Sequence, residues 1–319
     1  MHDGYRICVV GLGSIGRRHV QNIAAYCARR DGGTPIRIDA LRSGVGGVPD
    51  AQTAALVGTV YGDADDMPDD YDAIFVTNPT DQHHSTLERL AGKADAFFVE
   101  KPVFAQADLN RPLPHVKDPA RVYVACPLRY TDVLGYVRQE VDLGSVRAIR
   151  AICSSYLPGW RPGADYRKTY SAHAEQGGGV SLDLVHEWDY LRWLFGTPEE
   201  IHRIGAKVSG LEVDSEDVAI YIGRYPGRVV ELHLDYFGQH TERELRLYTD
   251  REVVVADIAN NRALHLPSGR EKQFPPGHDR MYEREIEYFF NIIEGKAKNW
   301  NTMQYAAQTA KLALGRLEE

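Results

Sequence analysis

Cysteine is scarce in this chain: Cys8, Cys27, Cys126 and Cys153 are scattered through 319 residues with no C-x-x-C spacing. That excludes a disulfide framework and a cysteine-based zinc site, and it fits reduced thiols. No metal is expected. No apolar run approaches the length of a membrane span, and a strand begins almost at the N-terminus without a signal-peptide pattern. The expected location is therefore cytoplasmic. Positive charge is also short, with 37 Lys and Arg against 45 Asp and Glu and a net charge of −8. No general affinity for nucleic acid or an anionic membrane follows, so any bound anion needs a local cluster. Repeats and low-complexity segments are missing too.

What is present is ordinary for a globular enzyme: 43% apolar and 26% charged residues, in a chain long enough for two domains. The boundary is placed at 125/126. "YRICVVGLGSIGRRHVQNIAAYCARR" predicts a buried strand, a glycine turn and a helix. Gly11, Gly13 and Gly16 form G-x-G-x-x-G, for a tight turn, close approach to a pyrophosphate, and helix-on-strand packing. Ser14, Ile15 and Gly16 then open a helix whose free N–H groups and positive end suit phosphate. A glycine pattern directly after the first strand is a strong dinucleotide signal. NAD(P) is the expected cofactor, in a Rossmann parallel sheet over residues 1–125.

"IRIDALRSG" reads as the second strand, where a terminal carboxylate binds a ribose hydroxyl and a terminal arginine accommodates a 2′-phosphate. Asp39 falls mid-strand, whereas Arg42 and Ser43 fall at the end, so the reading leans towards NADP. "YDAIFVTNPTDQHH" repeats the strand-then-helix logic, with Thr77, Asn78 and His83 as candidate cofactor contacts at a strand's C-terminal end. "AFFVEKPVF" is a further buried strand that ends in Glu100, Lys101 and Pro102. The proline stops the ladder there, and Glu100 joins the cofactor candidates.

From about Cys126 the strand–helix alternation stops. Closely spaced strands with turn signals such as "YPGR" predict an open, mostly antiparallel sheet in a C-terminal α/β domain over residues 126–319. One sheet face is left to be covered by another subunit, giving a homodimer or homotetramer. The loop "YLPGWRPGADYRKTYSAHAEQ" has the composition of a substrate lid. Arg161, Arg167 and Lys168 suit a carboxylate or phosphate, and Trp160, Tyr166 or Tyr170 suit ring stacking. Arg129 and Tyr130, at the domain junction, are further substrate candidates.

"GGGVSLDLVHEWDYLRW" then predicts one helix. Apolar residues recur near helical spacing, and Asp183, His186 and Glu187 share a stripe beside them. That stripe suits an acid/base pair, with Glu187 a substrate contact or a substitute for Asp183.

With these motifs in order, the chain resembles the Gfo/Idh/MocA family of NAD(P)-dependent oxidoreductases. The carrying stretches are "GLGSIGRRH", "TNPTDQHH", "EKP" and "GGGVSLDLVHEWDYLRWLFG". The resemblance implies action on hydroxyls of sugars, sugar derivatives or cyclitols. Its lysine maps to Lys101 and its helix histidine to His186, followed by Asp189 and Gly196. Its upstream aspartate maps to Asp183, one residue closer to the histidine than in the family. The lid loop resembles a subgroup associated with surface-polysaccharide or nonulosonate sugars. His186 is then the expected general base or acid, oriented by Asp183, with Lys101 on the reacting oxygen; the alternative is that Lys101 itself carries the proton, its pKa lowered by burial and the cofactor charge. Two other classes stay open: an NAD-dependent glycoside hydrolase or lyase, and a non-catalytic NAD(P)H sensor.

Overall fold

The computed structural model describes residues 4–30, 33–44, 48–275 and 278–317. The chain forms two compact units. The first comprises Met1–Ala125 with Tyr282–Ala307, and the second Cys126–Met281 with Gln308–Glu319. The expectation of one domain over 126–319 is thereby amended: residues 282–307 return to the first unit.

In the first unit, β1 (Tyr5–Val10) leads into α1 (Ser14–Arg29) and β2 (Ile36–Leu41). Then come α2 (Ala51–Leu56), β3 (Val57–Tyr61), β4 (Ala73–Val76), α3 (His83–Leu90), β5 (Phe97–Val99) and β6 (Val122–Val124). The six strands are parallel in the order β3-β2-β1-β4-β5-β6, which is the Rossmann arrangement. Strands β4, β5 and β6 are buried at every position, as a parallel sheet covered on both faces requires. Phe75 and Phe98 stack at 4.7 Å, and Phe289 meets both edge-on at 5.3 Å. The returning segment therefore completes this unit's aromatic core.

The second unit begins with α4 (Asp132–Glu140) and the long β7 (Val146–Tyr156). After the loop come α5 (Val180–Asp183), α6 (His186–Phe195), β8 (Glu200–Ala206), β9 (Val218–Tyr225) and β10 (Arg228–Asp235). The sheet continues with β11 (Phe237–Thr249), β12 (Val253–Asp257), β13 (Arg262–Leu266) and β14 (Arg270–Gln273). The chain ends with α7 (His278–Ile293) and α8 (Met303–Ala313). The eight strands run β14-β13-β12-β11-β7-β10-β9-β8, and only the β10–β7 pair is parallel. From Ala219 onward strand β9 alternates between buried and exposed, so the sheet has one packed face. Trp188 of α6 meets Tyr221 of β9 edge-on at 5.4 Å on that face.

The single helix expected over 180–195 is broken. Leu184 has φ −100° and ψ 29°, which ends α5 before His186 opens α6. Asp183 and His186 therefore lie on two helices rather than one stripe. Among the described residues, no helix is long and apolar enough to cross a membrane, and no His, Cys, Asp and Glu group could hold a metal ion.

Candidate active site

In the first unit the glycine turn is shaped from both sides. A Cβ on Gly16 would lie 2.1 Å from Gly11 O and 2.7 Å from Thr77 Oγ1, so helix and strand pack too closely for any side chain. A Cβ on Gly13 would meet nothing within 4 Å. Gly13 is also the N-cap of α1, and no side chain caps that end. The first turn, Ser14, Ile15 and Gly16, thus follows a residue with open space at its side-chain position, at the positive end of a 16-residue helix. That is the donor set a pyrophosphate needs, so the residues fit a dinucleotide.

Thr77 holds this turn from behind. Its hydroxyl donates to Val10 O at 2.9 Å and Gly11 O at 2.7 Å, so it shapes the cradle and is only 6% exposed. Asn78 donates to Thr86 Oγ1 at 2.8 Å, while its Oδ1 is buried without a partner. His83 is reassigned. Its Nδ1 lies 3.1 Å from both Pro102 O and Val103 O, and its Nε2 lies 2.9 Å from Asn78 O. The ring clips the turn after β4 to the turn after β5, and burial holds its pKa below the ordinary value. Neither nitrogen is left to offer a cofactor.

Arg42 and Ser43 follow β2 directly, Arg42 half-buried and Ser43 exposed. Asp39 is fully buried inside the strand, accepting from Thr59 N and Tyr71 Oη at 3.0 Å each. It is spent on the fold.

Glu100 accepts from His19 Nε2 at 2.6 Å and from Lys101 N at 3.2 Å. Burial would raise the carboxyl, but the His19 bond and the charges of His19 and Lys101 hold it below its ordinary value. Glu100 thus orients the backbone from which half-buried Lys101 emerges. His19 was visible only as the end of the glycine motif. Nothing in its spacing marked it as the partner of Glu100, 81 residues away.

In the second unit Asp183 is a hub. It is 2% exposed and accepts hydroxyls from Tyr170, from Ser171 at 2.5 Å and from Tyr236 at 2.9 Å. Burial, and then the Asp183 charge, push the Tyr170 and Tyr236 phenols well above their ordinary pKa. Both phenols therefore remain donors across the working pH range. The glycines before α5 admit this loop: a Cβ on Gly178 would lie 2.2 Å from Tyr170 O. Tyr236, between β10 and β11, had no periodic signal in the sequence.

His186 is half-buried at the start of α6, whereas Glu187 through Arg192 are all buried. Glu187 is reassigned from substrate contact to core. It is fully buried with its Oε1 2.9 Å from Arg243 Nε, an approach poorly aligned for a hydrogen bond. Burial raises its pKa, which the Arg243 charge opposes. Arg129 is likewise reassigned: both forks of its guanidinium engage Asp189, at 2.8 and 2.7 Å. Asp189 is three residues past His186, so this pair anchors α6 from behind.

The loop after β7 sorts its own candidates. Arg167 pairs with Asp165 at 2.8 Å and Glu212 at 3.2 Å, which removes it as a free cation. Trp160 donates to Ser155 Oγ at 2.9 Å and meets Tyr236 edge-on at 5.3 Å. The Tyr166 hydroxyl accepts from Glu212 N at 3.1 Å. Arg161 is exposed, with its guanidinium 5.9 Å from the Tyr170 ring centre.

Residues 5–118 match the oxidoreductase family with an NAD-binding Rossmann fold, and residues 135–255 match the GFO/IDH/MocA C-terminal domain. The chain belongs to the Gfo/Idh/MocA family of oxidoreductases. It is 23% identical to inositol 2-dehydrogenase of Rhizobium meliloti (strain 1021), over 91% of this chain and 86% of that one. Two solved structures share its fold. UDP-N-acetylglucosamine 3-dehydrogenase GnnA from Acidithiobacillus ferrooxidans gives a TM-score of 0.72 at 20% identity, covering 98% of this chain and 96% of that one. The WlbA dehydrogenase from Bordetella pertussis, solved with NADH and UDP-GlcNAcA, gives 0.77 at 19% identity, covering 98% and 95%.

Proposed function

We propose that the protein is an NAD(P)-dependent dehydrogenase acting on a hydroxyl-bearing carbon of a sugar, sugar derivative or cyclitol. One observation carries this reading: the phosphate cradle is open and uncapped in a family member that has both proton-handling side chains, Lys101 and His186. The named relatives, an inositol dehydrogenase and nucleotide-sugar dehydrogenases, support the substrate class.

When bound, the nicotinamide accepts or returns the hydride. Gly11, Gly13, Ser14, Ile15 and Gly16 would hold the pyrophosphate, and the Thr77–Asn78 turn would border it. Arg42 and Ser43 at the end of β2, with Asp39 buried, favour NADP over NAD. His186 removes the hydroxyl proton as general base. The resemblance to the family supports Lys101 as the residue that stabilises developing negative charge on a reacting oxygen. Asp183 supports the site by holding Tyr170, Ser171 and Tyr236 in place. Trp160, Arg161 and Tyr166 face substrate from the loop. The lid's resemblance supports a role in surface-polysaccharide sugar metabolism, in the cytoplasm.

The outer face of the second sheet supports a homodimer or homotetramer. Ile204 pairs with Ile220 across β8 and β9, and Ile222 and Val229 lie on the same face, 52% and 50% exposed. Arg150 and Glu231 lie on that face too, so its charges are of both signs and suit a second copy of itself.

The test is spectroscopic: purified protein with NAD⁺ or NADP⁺ and a panel of sugars, inositols, sugar acids and nucleotide sugars. Net cofactor reduction that Lys101→Met abolishes is the expected result. Substrate loss without net reduction would point to a hydrolase or lyase. Cofactor binding with no turnover would point to a sensor.

A further inference from the structure

His19 lies in the second turn of α1, fully buried, its ring edge-on to Phe98 at 4.8 Å and tilted against Phe75 at 5.5 Å. An apolar side chain would suit those neighbours without a desolvation penalty. The ring is nevertheless an imidazole, with Nε2 bonded to Glu100 Oε1 at 2.6 Å and Nδ1 buried without a partner. Glu100 is thus the ring's one hydrogen-bond partner among the described residues.

Glu100 carries that bond onward. It is itself buried, and its other oxygen, Oε2, accepts the N–H of Lys101 at 3.2 Å. A buried carboxylate is costly unless its oxygens are bonded, so the two contacts depend on each other. Beyond Lys101 the chain is clipped by His83, through Pro102 O and Val103 O. The same imidazole reaches Asn78 O, next to Thr77, whose hydroxyl holds Gly11 O in the cradle. Two buried histidines therefore bracket Lys101, and each leads back to the cradle. His83 does so through the turn after β4, and His19 through the helix whose first turn is the cradle.

We propose that His19 is a positioning residue for Lys101. Through Glu100 it ties the Lys101 turn to α1, so one rigid helix sets both the phosphate end of the cofactor and the lysine. His19 touches neither substrate nor cofactor in this role. The assignment rests on the dehydrogenase reading for what Lys101 does.

The test replaces His19 with two amides of different length, in the full chain. Glutamine sets a nitrogen near the place of Nε2, and asparagine near that of Nδ1, out of reach of Glu100. On a substrate from the panel, His19→Asn should lower kcat and kcat/KM together by about 10- to 100-fold, with KM and NAD(P)H affinity near the parent's. His19→Gln should recover most of the loss. Parent-like kcat in His19→Asn, or equal losses in both variants, would overturn the proposal. Hydrogen exchange reads the same link without turnover. In cofactor-free His19→Asn, amides from Lys101 to Phe104 should lose protection while β1 and β4 keep theirs. Protection lost evenly across the sheet would make His19 merely structural. If His19→Asn does not fold, Glu100→Gln serves instead, since an amide offers one accepting oxygen where the carboxylate offers two. It should give the same confined loss of protection. That confined loss, in a protein that turns over nothing in the panel, keeps the positioning role and sinks the dehydrogenase. Turnover with kcat and exchange both unchanged in the variants does the reverse.

Discussion

Arg129 and Asp189 make a two-pronged ion pair, Nε to Oδ2 at 2.8 Å and Nη2 to Oδ1 at 2.7 Å, with both residues buried. Each offsets much of the other's lost hydration, and the Arg129 guanidinium also lies 5.9 Å from the Trp193 ring centre. Removing one partner of such a pair costs about 3–5 kcal/mol, because the remaining charge is stranded. Arg129→Ala should therefore lower the urea midpoint of the second unit sharply. Arg129→Lys should recover little of it, since an ammonium cannot reproduce the fork. The double variant Arg129→Met, Asp189→Leu should be more stable than either single one. A single variant as stable as the parent would show that the pair is not buried as described.

Gly13 and Gly16 predict opposite failures. An alanine Cβ at position 16 would meet Gly11 O at 2.1 Å, and backbone cannot yield as a side-chain tip can. Gly16→Ala should lower the melting temperature and weaken cofactor binding together. At position 13 the backbone has φ −67° and the Cβ meets open space, so Gly13→Ala should fold like the parent. That methyl would occupy the space expected for pyrophosphate, so NAD(P)H affinity should still fall. Melting curves with NAD(P)H fluorescence titration test both. Wild-type affinity in Gly13→Ala would mean the cradle is not the phosphate site.

The first unit should lose stability on acidification in two windows. The folded pKa of His83 is lowered from 6.5 by burial, against its bonds to Asn78, Val103 and Pro102. That of Glu100 is lowered from 4.5, where the His19 bond and charge and the Lys101 charge outweigh burial. In both cases the folded value lies below the unfolded one. Each contribution is then fully present above the unfolded pKa and lost as pH falls through the folded one. The cofactor-free melting temperature should fall below about pH 6.5 and again below about pH 4.5. His83→Asn should flatten the first fall and Glu100→Gln the second. A melting temperature that rises between pH 7 and 5.5 would contradict the His83 assignment.

Much of the fold was legible because its cues are local. Buried four-residue runs, glycine spacing and the change from regular strand–helix alternation to closely spaced strands each fit inside a short window. The end of β2 at Leu41 placed Arg42 and Ser43 where the strand pattern put them. What stayed hidden depends on distant partners. Arg129, Glu187 and Arg167 are cations and anions of the type that bind substrate, and only the fold shows that Asp189, Arg243, Asp165 and Glu212 occupy them. His83 has the same history, since its carbonyl partners at Pro102 and Val103 lie about twenty residues away. The break at Leu184 was hidden for another reason: apolar residues continue through it at nearly helical spacing, so periodicity alone runs α5 into α6.

That break gives Asp183 and His186 different tasks, and their variants should fail differently. His186 is half-buried and carries a ring suited to proton transfer near neutral pH. His186→Ala should lower kcat by about 10²–10⁴, the range for loss of a general base, with cofactor affinity and melting temperature nearly intact. Asp183 accepts three hydroxyls, and an amide nitrogen in place of one oxygen cannot accept. Asp183→Asn should strand at least one buried hydroxyl, at about 1–3 kcal/mol, and loosen the loop that carries Tyr170 and Ser171. Its signature is a lower melting temperature and a raised KM, with a smaller loss in kcat. If Asp183→Asn instead matched His186→Ala in kcat with an unchanged melting temperature, the carboxylate would be acting directly on the base. The loop network would then be secondary to that role.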